Sequence, residues 1–179
     1  MKEDHPQGED FSRSFYTQAV KRLFLKPGDF LSSLPESPGL KKPLFFLLTS
    51  SFILAALRTP FVPGGSFPMA LLILVNALAM PLLSAVIACG IVFFAMRMKL
   101  SWSRVIALFA YSAGVTYLIS WLPLGTWIGE PWKWILVGIG LVRGFGFTRG
   151  QAVGVVAGSV LVIILLFYFL SSAFVLLKG

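Results

Sequence analysis

Enzyme chemistry needs a nucleophile, a proton-transfer group or a set of metal ligands within hydrogen-bond reach of one another. This 179-residue chain is poor in all three. Its only histidine is His5 and its only cysteine Cys89, and six of its seven acidic residues precede residue 43, leaving Glu130 alone beyond that point. His5 has no second histidine with which to build a zinc site and reads as an inert surface residue. Cys89 lies in a long apolar run with no histidine or charge nearby to lower its pKa, so it reads as a small packing residue, and no intramolecular disulfide exists. Glu130 falls in an expected loop from Gly125 to Trp132, where it is a solvated carboxylate near Lys133. No catalytic residue, metal site or cofactor follows from these residues, and the chain is expected not to be an enzyme.

Composition supplies the context. The chain is 57% hydrophobic and 12% charged, whereas an ordinary soluble domain is about 45–50% apolar and about 25% charged. The solvent is therefore expected to be lipid. A net charge of +8 raises the question of nucleic acid, but the basic residues punctuate long apolar runs and form no continuous basic face. Nucleic acid is thus not an expected partner.

Residues 1–42 are polar, mixed in charge and without the apolar stretch and cleavage site of a secretory signal, so they are expected to stay on the mature protein. Within them Phe11, Phe15, Tyr16, Ala19, Val20, Leu23 and Phe24 recur at spacings of three and four, which on a helix makes one apolar stripe. Lys26, Pro27 and Gly28 stop this helix, and Pro27 to Leu34 can form a second short one. An amphipathic helix of this kind lies in the membrane interface, with Phe15, Leu23 and Phe24 inserted and Lys21, Arg22 and Lys26 meeting headgroups. A partly ordered tail is the alternative.

From residue 43 to 179 the expected fold is an all-α, polytopic membrane helix bundle. A span takes about 17–25 helical residues to cross a core ~30 Å thick, and five are expected, at about 43–59, 67–95, 105–122, 127–142 and 152–177. Pro81 should kink the second. Twelve basic residues then fall on the side of the N-terminus and three (Arg58, Lys133, Lys178) on the other. The positive-inside rule puts the N-terminus in the cytoplasm and, with five spans, the C-terminus outside. Trp121, Trp127, Trp132 and Trp134 mark the outer boundary and Trp102 the inner one.

Polar residues inside the spans are few. Asn76, Pro81, Tyr111 and Tyr117 are the candidates for lining a polar groove, and Thr49, Ser50 and Ser51 lie in the first span; interhelical hydrogen bonding is the competing role for the polar groups. Glycines follow a sharper pattern. Gly140 and Gly144 repeat at four residues, as do Gly150, Gly154 and Gly158, and each series makes a groove where another backbone can approach, within the chain or in a homo-oligomer.

The segment from Phe24 to Pro35, the five spans and the stretch from Arg104 to Ser112 leading to Pro123, Leu124 and Gly125 resemble the Yip family, the Ypt/Rab-GTPase-interacting membrane proteins, and their prokaryotic branch in particular. Eukaryotic relatives carry Gly-Tyr-Ser followed by a proline in the third-span region; here Tyr111, Ser112 and Pro123 can take those positions, with Ala110 in place of the glycine. The Asp-Leu-Tyr-Gly-Pro motif of those relatives is absent, so Rab or prenyl-group recognition is not carried over. The resemblance implies a bacterial inner (cytoplasmic) membrane protein with a cytoplasmic N-terminus, five helices and no known reaction. Taken together, these readings lead to the expectation of a non-enzymatic interaction or membrane-organising module whose partners are membrane lipids, including anionic ones, and another membrane protein or a second copy. A small transporter or lipid-handling subunit is the alternative.

Overall fold

The computed structural model describes residues 13–97, 100–122 and 124–178. Of the residues singled out above, His5, Phe11 and Pro123 lie outside that set. The chain is all-α. Two short helices, α1 (Arg13–Leu25) and α2 (Pro27–Ser32), precede α3 (Lys41–Arg58), α4 (Phe67–Met96), α5 (Trp102–Ser120), α6 (Gly125–Phe145) and α7 (Arg149–Lys178). A single 3-10 turn, Thr59–Phe61, extends α3. Among the described residues four helical stretches are long and apolar enough to cross a membrane: α3 with its 3-10 turn, α4, α5 and α7. The second half of α6 is largely apolar, but its first half carries Glu130, Pro131 and Lys133.

The expected loop from Gly125 to Trp132 is helix instead, because α6 begins at Gly125. A glycine is required at that corner, since a Cβ on residue 125 would drive into the backbone carbonyl of Ile119. Glu130 accordingly sits on a helix, where its carboxylate pairs with the Lys133 ammonium one turn along.

Helix α5 occupies the middle of the bundle, packed by α3, α4, α6 and α1. Of its apolar window 72% is buried, against 33% for α3, 22% for α4 and 11% for α7. Small residues make this possible: Ala107, Ala110, Ser112, Ala113, Gly114 and Thr116 are all buried, leaving room for neighbours on every side. At Gly114 the Phe46 ring of α3 comes so close that an added Cβ would lie 2.7 Å from it. Helix α4 answers with a stripe of its own, Ala77, Pro81, Ser84, Ala85, Ala88 and Val92, at spacings of three and four. Apolar force between helices in lipid is slight, so such close packing supplies the attraction.

Pro81 sits inside α4 and has no N–H to give the carbonyl four residues earlier, that of Ala77. Tyr117 of α5 fills the vacancy by donating its hydroxyl to the Ala77 oxygen at 2.8 Å, in a buried site. A break in one helix thus becomes a hydrogen bond between two. Interhelical bonds of this type average about 0.6 kcal/mol and reach about 1.7 kcal/mol, and this one belongs near the top because its acceptor lacks the helical donor. Tyr117→Phe should therefore lower stability in detergent by about 1–2 kcal/mol. In a Pro81→Ala background, where residue 81 regains its N–H, the same change should cost less. A double-mutant cycle of unfolding free energies measures the difference, and equal costs in both backgrounds would contradict the assignment.

Candidate functional site

Residues near the N-terminus build a collar across one end of the bundle. Its first element, α1, is short and carries an apolar stripe whose centre, Ala19 and Leu23, is fully buried in the main core. Phe15, Tyr16 and Val20 pack partly against the same cluster. Helix α2 begins at Pro27, whose fixed φ suits the first turn, and it lies against α6, burying Gly28 and Leu31. The Leu31 carbonyl is 3.0 Å from where a Cβ on Gly144 would stand.

An aromatic chain ties the collar to the bundle. The Tyr16 ring of α1 lies 5.0 Å from Phe46 of α3, Phe46 lies 5.1 Å from Tyr111 of α5, and Tyr111 meets Phe30 of α2 edge-on at 5.1 Å. Four elements are joined by three ring contacts, each worth about 0.5–1.5 kcal/mol beyond area burial. The Tyr16 hydroxyl and the Ser50 hydroxyl of α3 share a hydrogen bond of 3.0 Å. The Lys42 ammonium stands 5.5 Å above the Phe15 ring, and the Arg104 guanidinium 4.8 Å from the Phe145 ring, so basic residues of three bundle helices gather near the same end.

The residues predicted for the membrane interface divide between the two sides of α1. Leu23 points inward and is enclosed by protein, and Phe15 is half-buried, whereas Lys21, Arg22, Phe24 and Lys26 are exposed. Two open clefts cross this outer surface. One is lined by Gln18, Lys21, Arg22, Leu25 and Lys26. The other, between the α1–α2 corner and α6, includes Leu25, Lys26, Gly28, Asp29, Ile139 and Arg143. Across it Arg143 Nη1 approaches Asp29 Oδ1 at 3.4 Å. A Cβ on Gly28 would strike the Arg143 guanidinium, so the bare backbone there is what lets that side chain lie over α2.

Residues predicted to line a polar groove are not gathered in one. Asn76 is exposed on α4, Pro81 and Tyr117 are linked through the Ala77 carbonyl, and Tyr111 belongs to the aromatic chain. The first-span hydroxyls also part company. Thr49 bonds within its own helix to Phe45, Ser50 bonds Tyr16, and Ser51 is buried with no partner among the described residues. The glycine series splits as well. A Cβ on Gly140 would strike the Leu108 side chain, and one on Gly158 would lie 3.2 Å from Ile91, but Gly150 and Gly154 have nothing within 4 Å.

Two features carry little signal in the sequence. Gly114, the contact with Phe46, belongs to no glycine repeat, and its only signal is the run of small residues around it. Lys133 is buried, with its ammonium held by Glu130 and 5.1 Å from the Trp134 ring. The spacing of three between Glu130 and Lys133 is the available sign, and it has that meaning only on a helix. Among the described residues no group of three or more His, Cys, Asp or Glu side chains is placed to hold a metal. Compared with protein-family models, curated proteins and solved structures, the chain matches none.

Burial raises the Tyr16 pKa above its ordinary value, the hydrogen bond from Ser50 acting in the opposite direction. A raised folded value means that the neutral phenol's contribution is complete below the unfolded pKa of about 10, and is lost as pH rises through the folded value. The thermal midpoint of the wild type should therefore fall more steeply above pH ~10 than that of Tyr16→Phe, which starts lower for want of the Ser50 bond. Parallel curves would mean that Tyr16 is not desolvated in the folded collar.

Proposed function

We propose that this chain is a non-enzymatic, five-helix integral membrane protein of the Yip type that acts as an interaction or membrane-organising module, with the collar as its working surface. The observation that carries the reading is the collar itself: α1 turns Ala19 and Leu23 into the core while presenting Lys21, Arg22 and Lys26 outward. A bundle needing only to span would have no use for such a structure. Basic residues close to an anionic leaflet contribute roughly 1 kcal/mol each, and Lys41 and Lys42 at the start of α3 extend the group. Exposed Phe24 and Leu25 give the same surface an apolar component suited to the headgroup boundary.

The fifth crossing is assigned to α6. Its 21 residues measure about 31 Å at 1.5 Å per residue, close to the ~30 Å of a hydrocarbon core. It packs along α5 and α7, and the charges in its first half are internally paired. Pairing of the buried Lys133 ammonium with the exposed Glu130 carboxylate lowers the cost of placing charged groups in such a helix. With five crossings the basic excess lies on the N-terminal side, in the cytoplasm, and the bacterial inner membrane suits both that bias and the resemblance.

A reporter active only outside the cytoplasm should work when fused after Gly179 and fail when fused before Met1. Four crossings, with α6 held on one side, would make both fusions fail and would remove α6 from the membrane. Mild-detergent affinity purification with protein and lipid mass spectrometry tests the functional half. A stoichiometric protein partner or an anionic lipid, lost when Lys21, Arg22 and Lys26 are changed to glutamate, is the expected result. A retained solute that survives those changes would favour the transporter reading.

A further inference from the structure

The cleft between the α1–α2 corner and α6 has a composition that neither topology nor general charge attraction requires. At its polar end stand Lys26 and Arg143, with Lys21 and Arg22 in the adjoining cleft, facing a single carboxylate, Asp29. Arg143 is 61% exposed and touches Asp29 through one nitrogen at 3.4 Å, so most of its five N–H donors remain turned to the surroundings. The guanidinium lies directly over the bare backbone of Gly28, where an added Cβ would meet it. At the apolar end Leu25, 69% exposed, and Ile139 share the wall. Ile139 lies one turn before Arg143 on α6, and exposed Ile135 lies one turn before that. From Arg143 to Ile135 the helix covers about 12 Å, and the line runs from the cations onto the apolar side chains of Ile139 and Ile135.

Cations alone would suit any anion. Cations at the head of exposed apolar side chains suit an anion with a hydrocarbon tail, which an open cleft facing lipid can take with the tail outside it. We propose that this cleft is a discrete site for one anionic phospholipid, its phosphate held between Lys26 and Arg143 and an acyl chain lying along Leu25, Ile139 and Ile135. The inference rests on the collar's contact with lipid and adds a defined stoichiometry and address to it. Arg is suited to the task because its fork can hold a phosphate oxygen while one nitrogen stays on Asp29. Asp29 then acts as a restraint on both sides of the balance: it orients Arg143 and repels the phosphate.

That double role gives opposite signs to two substitutions that break the same ion pair. The full-length protein, purified in detergent and titrated with phosphatidylglycerol or phosphatidylcholine, is read by native mass spectrometry for the number of lipids retained. One phosphatidylglycerol should be held in preference to phosphatidylcholine, and inorganic phosphate should not displace it. Arg143→Gln should weaken retention about fivefold, the equivalent of one basic contact, while Asp29→Asn should strengthen it. Lys21→Gln with Arg22→Gln should reduce association of the protein's collar with anionic surfaces generally but leave the single retained lipid in place. Thermal midpoints of all variants show whether each remains folded, and Arg143→Lys, which keeps the charge without the fork, should fall between wild type and Arg143→Gln.

If Arg143→Gln and Asp29→Asn change retention in the same direction, or not at all, the pair is structural and the site is refuted while the collar's lipid contact stands. If loss follows only the Lys21 and Arg22 changes, attraction is diffuse and the discrete site is likewise refuted. If inorganic phosphate competes with the lipid on equal terms, the cleft takes soluble anions and the acyl-chain path is wrong. If the wild type shows no preference for phosphatidylglycerol, the collar reading itself fails together with the site.

Discussion

Between helices already dissolved in lipid, contact is won by how closely two backbones can approach and by hydrogen bonds that have no competing water. Helix α5 is the element that satisfies this constraint, and the rest of the bundle is arranged around it. Its run of alanine, serine, threonine and glycine lets α3, α4 and α6 close on different faces at once. Phe46 can press on Gly114, and Leu108 can fill the space left by Gly140, only because those positions carry no side chain. The Tyr117 bond to Ala77 adds direction to what is otherwise contact by shape. Outer helices need less. In α7 the buried residues among those described are Ala152, Val155 and Ser159, all in its first half, and from Leu161 to Leu170 every large side chain except half-buried Ile163 is exposed to the surroundings.

The same enclosure explains why the collar sits where it does. Tyr111, held on a buried helix, meets Phe30 edge-on and Phe46 in a tilted contact, so α2 and α3 are anchored to the same residue. Helix α1 follows through Tyr16, which touches Phe46 and Ser50. A surface helix is thereby fixed by protein contacts on its inner side, and its charged outer side is presented in one orientation. Fixing it also forms the cleft beside α6, because α2 must rest on Gly144 and pass under Arg143.

Much of this was legible in the sequence where one signal had one cause. Long apolar runs can serve little else but a bilayer or a buried core, so α3, α4, α5 and α7 were readable to within several residues. The period of α1 was also readable, since Ala19 and Leu23 fall on one stripe whatever covers it. Period does not say whether the cover is lipid or protein, and here Leu23 went into the core while Phe24, its neighbour, stayed outside. Helix α6 was readable as a span over about 127–142, but its first turns were obscured because Glu130, Pro131 and Lys133 resemble a loop until one sees that the two charges pair. The Pro81 and Tyr117 pairing was invisible for a different reason: each residue's role is set by a partner distant in sequence. Glycine spacing likewise marks a groove without naming its occupant, and Gly154, central to its series, faces open space within the chain.

Helix α5 is enclosed by protein, and the outer helices α4 and α7 are not. Photolabelling of the unmodified protein in lipid nanodiscs, with a carbene precursor that partitions into the hydrocarbon core, tests it without any substitution. Peptides covering residues 105–117 should carry almost no label, while residues 71–79 of α4 and 161–170 of α7 should be labelled heavily. Label recurring every three to four residues along α5, at the level seen in α7, would put that helix on the lipid face and contradict the fold described above.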